Sequence, residues 1–231
     1  MAALRFKTNN LAGTLDPLCQ SVLKHFQLPS LRLLCFFDDD NPPCLEQEIG
    51  ATYRGLHVRL KGSGTWPSYI QQLFLDSRGG LAFDNVIYLP GRTCAAEAGA
   101  VITFAHELEH FVQFGGVYKV LVANQLLYQH LPSLDPANTA KSWNIPHEQD
   151  AMIISKRVAE AVLGPEVVSK HAESRIAAQD DPLYWEYFQS LNADVSFDLL
   201  DQTIPWVNKF RPQLLGLQQS TVDFSQSEWW R

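Results

Sequence analysis

The sequence predicts an α+β fold, on three observations. Extended apolar segments crowd into residues 1–92, while Ala-rich, helix-periodic segments fill 93–231. No Gly-rich phosphate loop and no strand–helix alternation mark a doubly wound sheet. At 231 residues, with 46% hydrophobic and 19% charged residues, one domain spanning 1–231 is expected to enclose a packed core.

The elements follow in order. The start, MAALRFKTNNLAGTLDP, is briefly apolar and then polar, without the continuous apolar run of a secretory signal. Asp16 to Leu28 has helical apolar spacing that Pro29 closes, and Leu31 to Phe37 (LRLLCFF) reads as a buried strand. The following DDDNPP is turn chemistry, an acidic surface turn rather than a metal site. Thr52 to Lys61 (TYRGLHVRLK) partly alternates, which predicts a strand whose basic residues face solvent. After the break GSGTWP, Tyr69 to Leu75 is equally compatible with a short helix or a strand. Arg78-Gly79-Gly80 turns the chain, and Leu81 to Leu89 (LAFDNVIYL) reads as a further strand, ended by Pro90-Gly91.

Helices dominate from Cys94 onward. Ala95 to Phe114 is one, stopped by Gly115-Gly116, and Val117 to Leu131 is a second, closed by Pro132. A polar loop covers 132–146, Glu148 to Leu163 is a third helix, and Pro165 starts a fourth that runs to Gln179. The tail from Asp181 carries Trp185, Trp206, Trp229 and Trp230, and its helices are expected to pack back on the body.

Charge and cysteines exclude some functions. A net charge of -7 and an isoelectric point near 5.4 repel phosphate backbones, which argues against a nucleic-acid partner. No window approaches the roughly 18 apolar residues of a membrane helix, so a soluble, cytoplasmic protein without a membrane partner is expected. Cys19, Cys35, Cys44 and Cys94 form no C-x-x-C pair, and reduced, mostly buried thiols are expected.

The chemistry concentrates in His106-Glu107-Leu108-Glu109-His110, the pattern H-E-x-x-H. Residues four apart lie one turn apart on the same helix face, so both imidazoles can bind one metal ion. Glu107 then projects beside the metal, where it can take a proton from an activated water as general base. The residues before the motif (Val101, Ile102, Phe104, Ala105) are apolar, and two histidines with a carboxylate on a buried face need compensation that a cation supplies.

FAHELEHFVQFGG followed by PHEQDAMIISKRVAE resembles the gluzincin branch of the zincin metallopeptidases over about residues 80 to 165. The resemblance implies a zincin-like α+β domain, Zn2+ as cofactor, and metal ligation by His106, His110 and Glu148, with Glu107 catalytic. Glu148 is alternatively an ordinary carboxylate in a helix's first turn. The setting EQDA departs from relatives that carry an Asp where Met152 stands; Asp150 lies two positions earlier. Asp150 is expected to orient a ligand imidazole. His147 is a transition-state donor or a loop histidine, and Tyr118 and Tyr128 are oxyanion donors or core. Glu109 points away from the metal, and spacing recruits none of His57, His130 and His171. The resemblance also implies a peptide or protein substrate held against an edge strand beside the active helix, for which 82–89 is the candidate.

The expected function is therefore zinc-dependent peptide-bond hydrolysis. The alternatives are a catalytically weak or inactive zincin-fold protein that binds or regulates a partner, and a structural α+β protein whose motif is accidental. A further possibility is a self-inhibited protease whose termini cover the cleft.

Overall fold

The computed structural model describes residues 2–26, 28, 32–50, 54–59, 67–115 and 118–216. Expectations for the GSGTWP break up to Trp66, the Gly116 stop, and Trp229 and Trp230 lie outside these residues, as do the ends of the 52–61 strand. The chain runs β1 (Ala2–Phe6), α1 (Asn9–His25), β2 (Leu33–Asp38), α2 (Cys44–Ile49), β3 (Leu56–Arg59), α3 (Ser68–Leu73) and β4 (Asn85–Pro90). Among the described residues helices then follow: α4 (Gly91–Cys94), α5 (Glu97–Gly115), α6 (Tyr118–Leu134), α7 (Pro146–Leu163), α8 (Pro165–Ala177), α9 (Pro182–Ser190) and α10 (Leu199–Leu215). A mixed α+β architecture with a mostly helical C-terminal half results.

The four strands form one sheet in the order β1-β2-β4-β3, with β1, β2 and β4 parallel and β3 antiparallel to β4. Both faces of the central strands are covered. Leu33, Cys35, Phe37, Ile87 and Leu89 face α1 and α5, whereas Leu34, Phe36, Val86 and Tyr88 join Leu45 of α2 and Ile70 of α3. Two-sided burial explains why β2 and β4 read as continuous apolar runs rather than alternating ones.

Several expectations change. The polar-looking start contains β1, which pairs in register with β2 from Ala2↔Leu33 to Phe6↔Phe37. Five residues with one exposed arginine carry too little periodicity to announce a strand; the parallel partner supplies it. The β1–α1–β2 crossover also places a helix among the strands, so strands and helices are not cleanly separated. The stretch after Tyr69 is helical, and Pro132 lies inside α6 rather than ending it. The expected edge strand, 82–89, is corrected. Its core, β4, sits inside the sheet between β2 and β3, because an all-apolar strand must be covered on both sides. The half-buried, partly alternating β3 takes one edge of the sheet formed by the described residues, and β1 takes the other.

α5 is buried almost all round, with Val101, Phe104, Ala105, Leu108 and Phe111 at most 1% exposed. It lies between the sheet and α7, and Phe104 meets Phe37 of β2 with ring centroids 5.7 Å apart. α7 begins on Pro146, whose missing N–H costs nothing in a first turn, and ends at Gly164. Gly164 has φ +90°, a conformation that disfavours side chains and lets α8 start at Pro165. α6 and α10 pack on one another over Leu127, Ile145, Val207 and Phe210. All four cysteines are free thiols, three of them buried.

Candidate metal centre

The α5–α7 contact brings His106 and His110 against Glu148, in the first turn of α7. His106 Nε2 lies 3.0 Å from His110 Nε2 and 3.3 Å from Glu148 Oε2, and His110 Nε2 lies 3.5 Å from Glu148 Oε1. Two ligand atoms about 2.0–2.1 Å from one tetrahedral ion stand about 3.3 Å apart. Each of the three separations is close to that edge length, although the two imidazoles approach different oxygens of Glu148, and the donor set of two imidazoles and one carboxylate suits zinc.

Protonation follows from the surrounding hydrogen bonds. Gln113 Nε2 donates to His147 O and to Asp150 Oδ2, each at 2.9 Å, and both are acceptors only. Its amide oxygen must then face His110 Nδ1, 2.9 Å away, which makes Nδ1 the donor and turns Nε2 towards His106 and Glu148, where it carries a proton that a cation can displace. Asp150 reaches the His110 imidazole through Gln113, which is interposed between them. Nδ1 of His106 is buried without a partner among the described residues.

The electrostatics favour a cation. Burial alone raises the Glu148 carboxyl, but His110, His106 and His147 outweigh it and hold that carboxyl well below its ordinary range. Burial pulls His110 down, yet Glu148 and then Glu107 take it up to about 10. Glu107, 7% exposed, is raised mainly by burial, with His110 and His106 opposing. A backbone hydrogen bond from His57 of β3 supports its carboxylate. Gly55 completes this wall, since a Cβ there would lie 2.7 Å from both Glu107 Oε1 and Thr103 Cγ2.

Other expected residues fall variously. His147 belongs to the cluster, 5% exposed and with Nε2 3.3 Å from Glu148 Oε1; burial lowers its pKa. Tyr128 is 47% exposed and packs edge-on against His147, while the Tyr118 side chain lies outside the described residues. Glu109 sits beside Asp150 and is raised to about 8, first by burial and then by that carboxylate. Sequence reasoning missed Gln113, although it lies one turn beyond His110 on the same helix face, and Tyr184, which is far away in sequence. Tyr184 of α9 lies under the Arg54 guanidinium at 4.1 Å. Its hydroxyl is pushed up to about 12 by burial, opposed by Arg54 and reinforced by Glu148 and Glu107.

The acidic DDDNPP turn is also corrected, because Asp38 is fully buried. Oxygens of Asp38 and Asp40 and the Cys44 sulfur converge as well. Lys7 Nζ occupies that centre, 2.8 Å from Cys44 Sγ, 3.7 Å from Asp38 Oδ1 and in contact with Asp40. The ammonium supplies the cation there, so this cluster is an ion pair that ties β1 to α2.

No described helix is long and apolar enough to cross a membrane. Comparison with known protein families, curated proteins and solved structures finds no match to this chain.

Proposed function

We propose that this protein is a zinc-dependent metallopeptidase with a zincin-like site. The reading rests on one observation: the Nε2 atoms of His106 and His110 lie 3.0 Å apart and within 3.3 and 3.5 Å of the two Glu148 carboxylate oxygens, with Glu107 adjacent. Zinc held by His106, His110 and Glu148 would supply Lewis acidity that brings the pKa of a water towards about 7. Glu107, raised by burial and flanked by Gly55 and the His57 N–H, would serve as general base at its carboxylate and pass the proton to the leaving amine. Gln113 fixes the tautomer of His110. Tyr184 stays protonated at neutral pH and is assigned as hydrogen-bond donor to the developing oxyanion. The antiparallel edge β3 holds the peptide extended. An intact base has no role in a binding-only relative, which favours turnover.

The test is metal content after purification without chelator, followed by a peptide-library digest. About one zinc per chain is expected, lost in His106→Ala and Glu148→Ala and kept in Glu107→Gln. Library cleavage should fall about 10²- to 10⁴-fold in Glu107→Gln. A wild type that neither contains nor takes up zinc overturns the reading, as does a zinc-loaded protein that cleaves no peptide.

A further inference from the structure

One turn along α5 from the metal ligands, a cavity of about 140 Å³ opens beside Thr103. By the roughly 10–15 Å³ that one water needs, it has room for several waters or one small polar group. Three guanidiniums converge on it: Arg54 before β3, Arg92 in α4 and Arg175 in α8. Their mutual approach is felt electrostatically, since burial and then Arg54 and Arg92 lower the Arg175 pKa. Each arginine already meets a carboxylate: Arg54 meets Asp181 at 3.1 Å, Arg92 meets Glu46, and Arg175 meets Asp180, which also lines the cavity.

One carboxylate does not exhaust the five N–H donors of a guanidinium. Among the described residues Arg175 Nε is buried with no partner, and so is the indole Nε1 of Trp185, a cavity-lining side chain only 4% exposed. A buried donor without a partner costs about 1–3 kcal/mol, so two of them at one cavity point to an acceptor that binds there. The 19-residue helix α5 also begins at this cavity, with Ala95 and Ala96 in its wall, and its dipole favours an anion. His171, lowered by burial and by Arg175, adds a neutral ring rather than a competing charge.

We propose that the cavity lined by Arg54, Arg92, Arg175 and Trp185 is a substrate subsite that binds a carboxylate of the peptide. The proposal rests on the peptidase reading above and names its substrate class. Geometry links the two sites. Thr103 lines the cavity, and its Cγ2 and the Glu107 oxygen both abut Gly55. One helical turn is about 5.4 Å, and an extended peptide advances about 3.3–3.6 Å per residue. The carboxylate therefore belongs within about two residues of the scissile bond. Its source is either an acidic side chain or the peptide's own C-terminus.

The experiment takes a peptide that the zinc-loaded wild type cleaves and varies each position within two residues of the cut among Glu, Gln and Lys. Every peptide is made both as free acid and as amide. One position with Glu should exceed Gln at least tenfold in kcat/KM, and Lys should be worse still. A preference that survives amidation identifies an acidic side chain; one that vanishes identifies the C-terminal carboxylate. In Arg175→Gln the preference should shrink below twofold, and Arg175→Lys should keep part of it. Circular dichroism and zinc content identify a variant that fails to fold, and the wild-type arm alone still decides. Cleavage at equal rates across Glu, Gln, Lys, acid and amide overturns the subsite while leaving the peptidase reading intact. No cleavage of any peptide overturns the peptidase reading and this inference with it.

Discussion

The amide oxygen of Gln113 lies 2.9 Å from Nδ1 of His110, and the other end of the same amide lies 2.9 Å from Asp150. One side chain thus joins the helix of His106 and His110 to α7 and fixes which imidazole nitrogen faces the cluster. Gln113→Leu should keep the fold and weaken zinc about 10- to 100-fold, the usual effect of losing such an outer hydrogen bond. Chelator competition measures it; wild-type affinity in Gln113→Leu would remove Gln113 from the metal centre.

The metal-free protein should respond to pH in its own way. His110 has a raised pKa, so its stabilisation is complete below the ordinary 6.5 and fades as pH climbs through about 10. Glu148 is lowered, so its stabilisation is present above 4.5 and fades on acidification. The thermal midpoint of stripped protein should therefore fall from pH 6.5 to 10, whereas zinc displaces the His110 proton and abolishes that fall. Thermal melts across this range check it, and parallel alkaline slopes with and without zinc would contradict it.

Gly55→Ala should separate binding of metal from use of it. The new methyl group meets Glu107 Oε1 and Thr103 Cγ2 at 2.7 Å, so the base must move while the three ligands stay on α5 and α7. Zinc content should remain near the wild-type value and kcat should fall about 100-fold. Unchanged turnover would show that Glu107 tolerates displacement.

Phe104→Ala addresses the scaffold. The ring is fully buried and packs on Phe37, and its removal should cost about 3–5 kcal/mol. Denaturant unfolding of the zinc-loaded protein measures this loss. A cost under 1 kcal/mol would mean that the sheet closes over the gap.

The sequence made some of this legible and not the rest, for physical reasons. The i, i+4 spacing of His106 and His110 puts both rings on one helix face, because helix geometry alone decides it. β2 and β4 were readable as strands from their apolar runs, but their place inside the sheet depends on β1 and β3, which lie far away in sequence. Gln113 looks like an ordinary solvent-facing residue until α7 arrives with two acceptors. Arg54, Arg92 and Arg175 are spread over more than 120 positions, and no local pattern announces that they share a cavity.

The third donor, Glu148, sits 38 positions beyond His110 and meets it only when α7 docks against α5. Before docking, the chain offers an incoming ion two imidazoles and a weak grip; afterwards it offers three donors and a buried base. If the proposed zinc binds, its tight capture would report that the two halves of the chain have come together. The ion would then act as an inspector of assembly, retained by correctly closed molecules and let go by those still open.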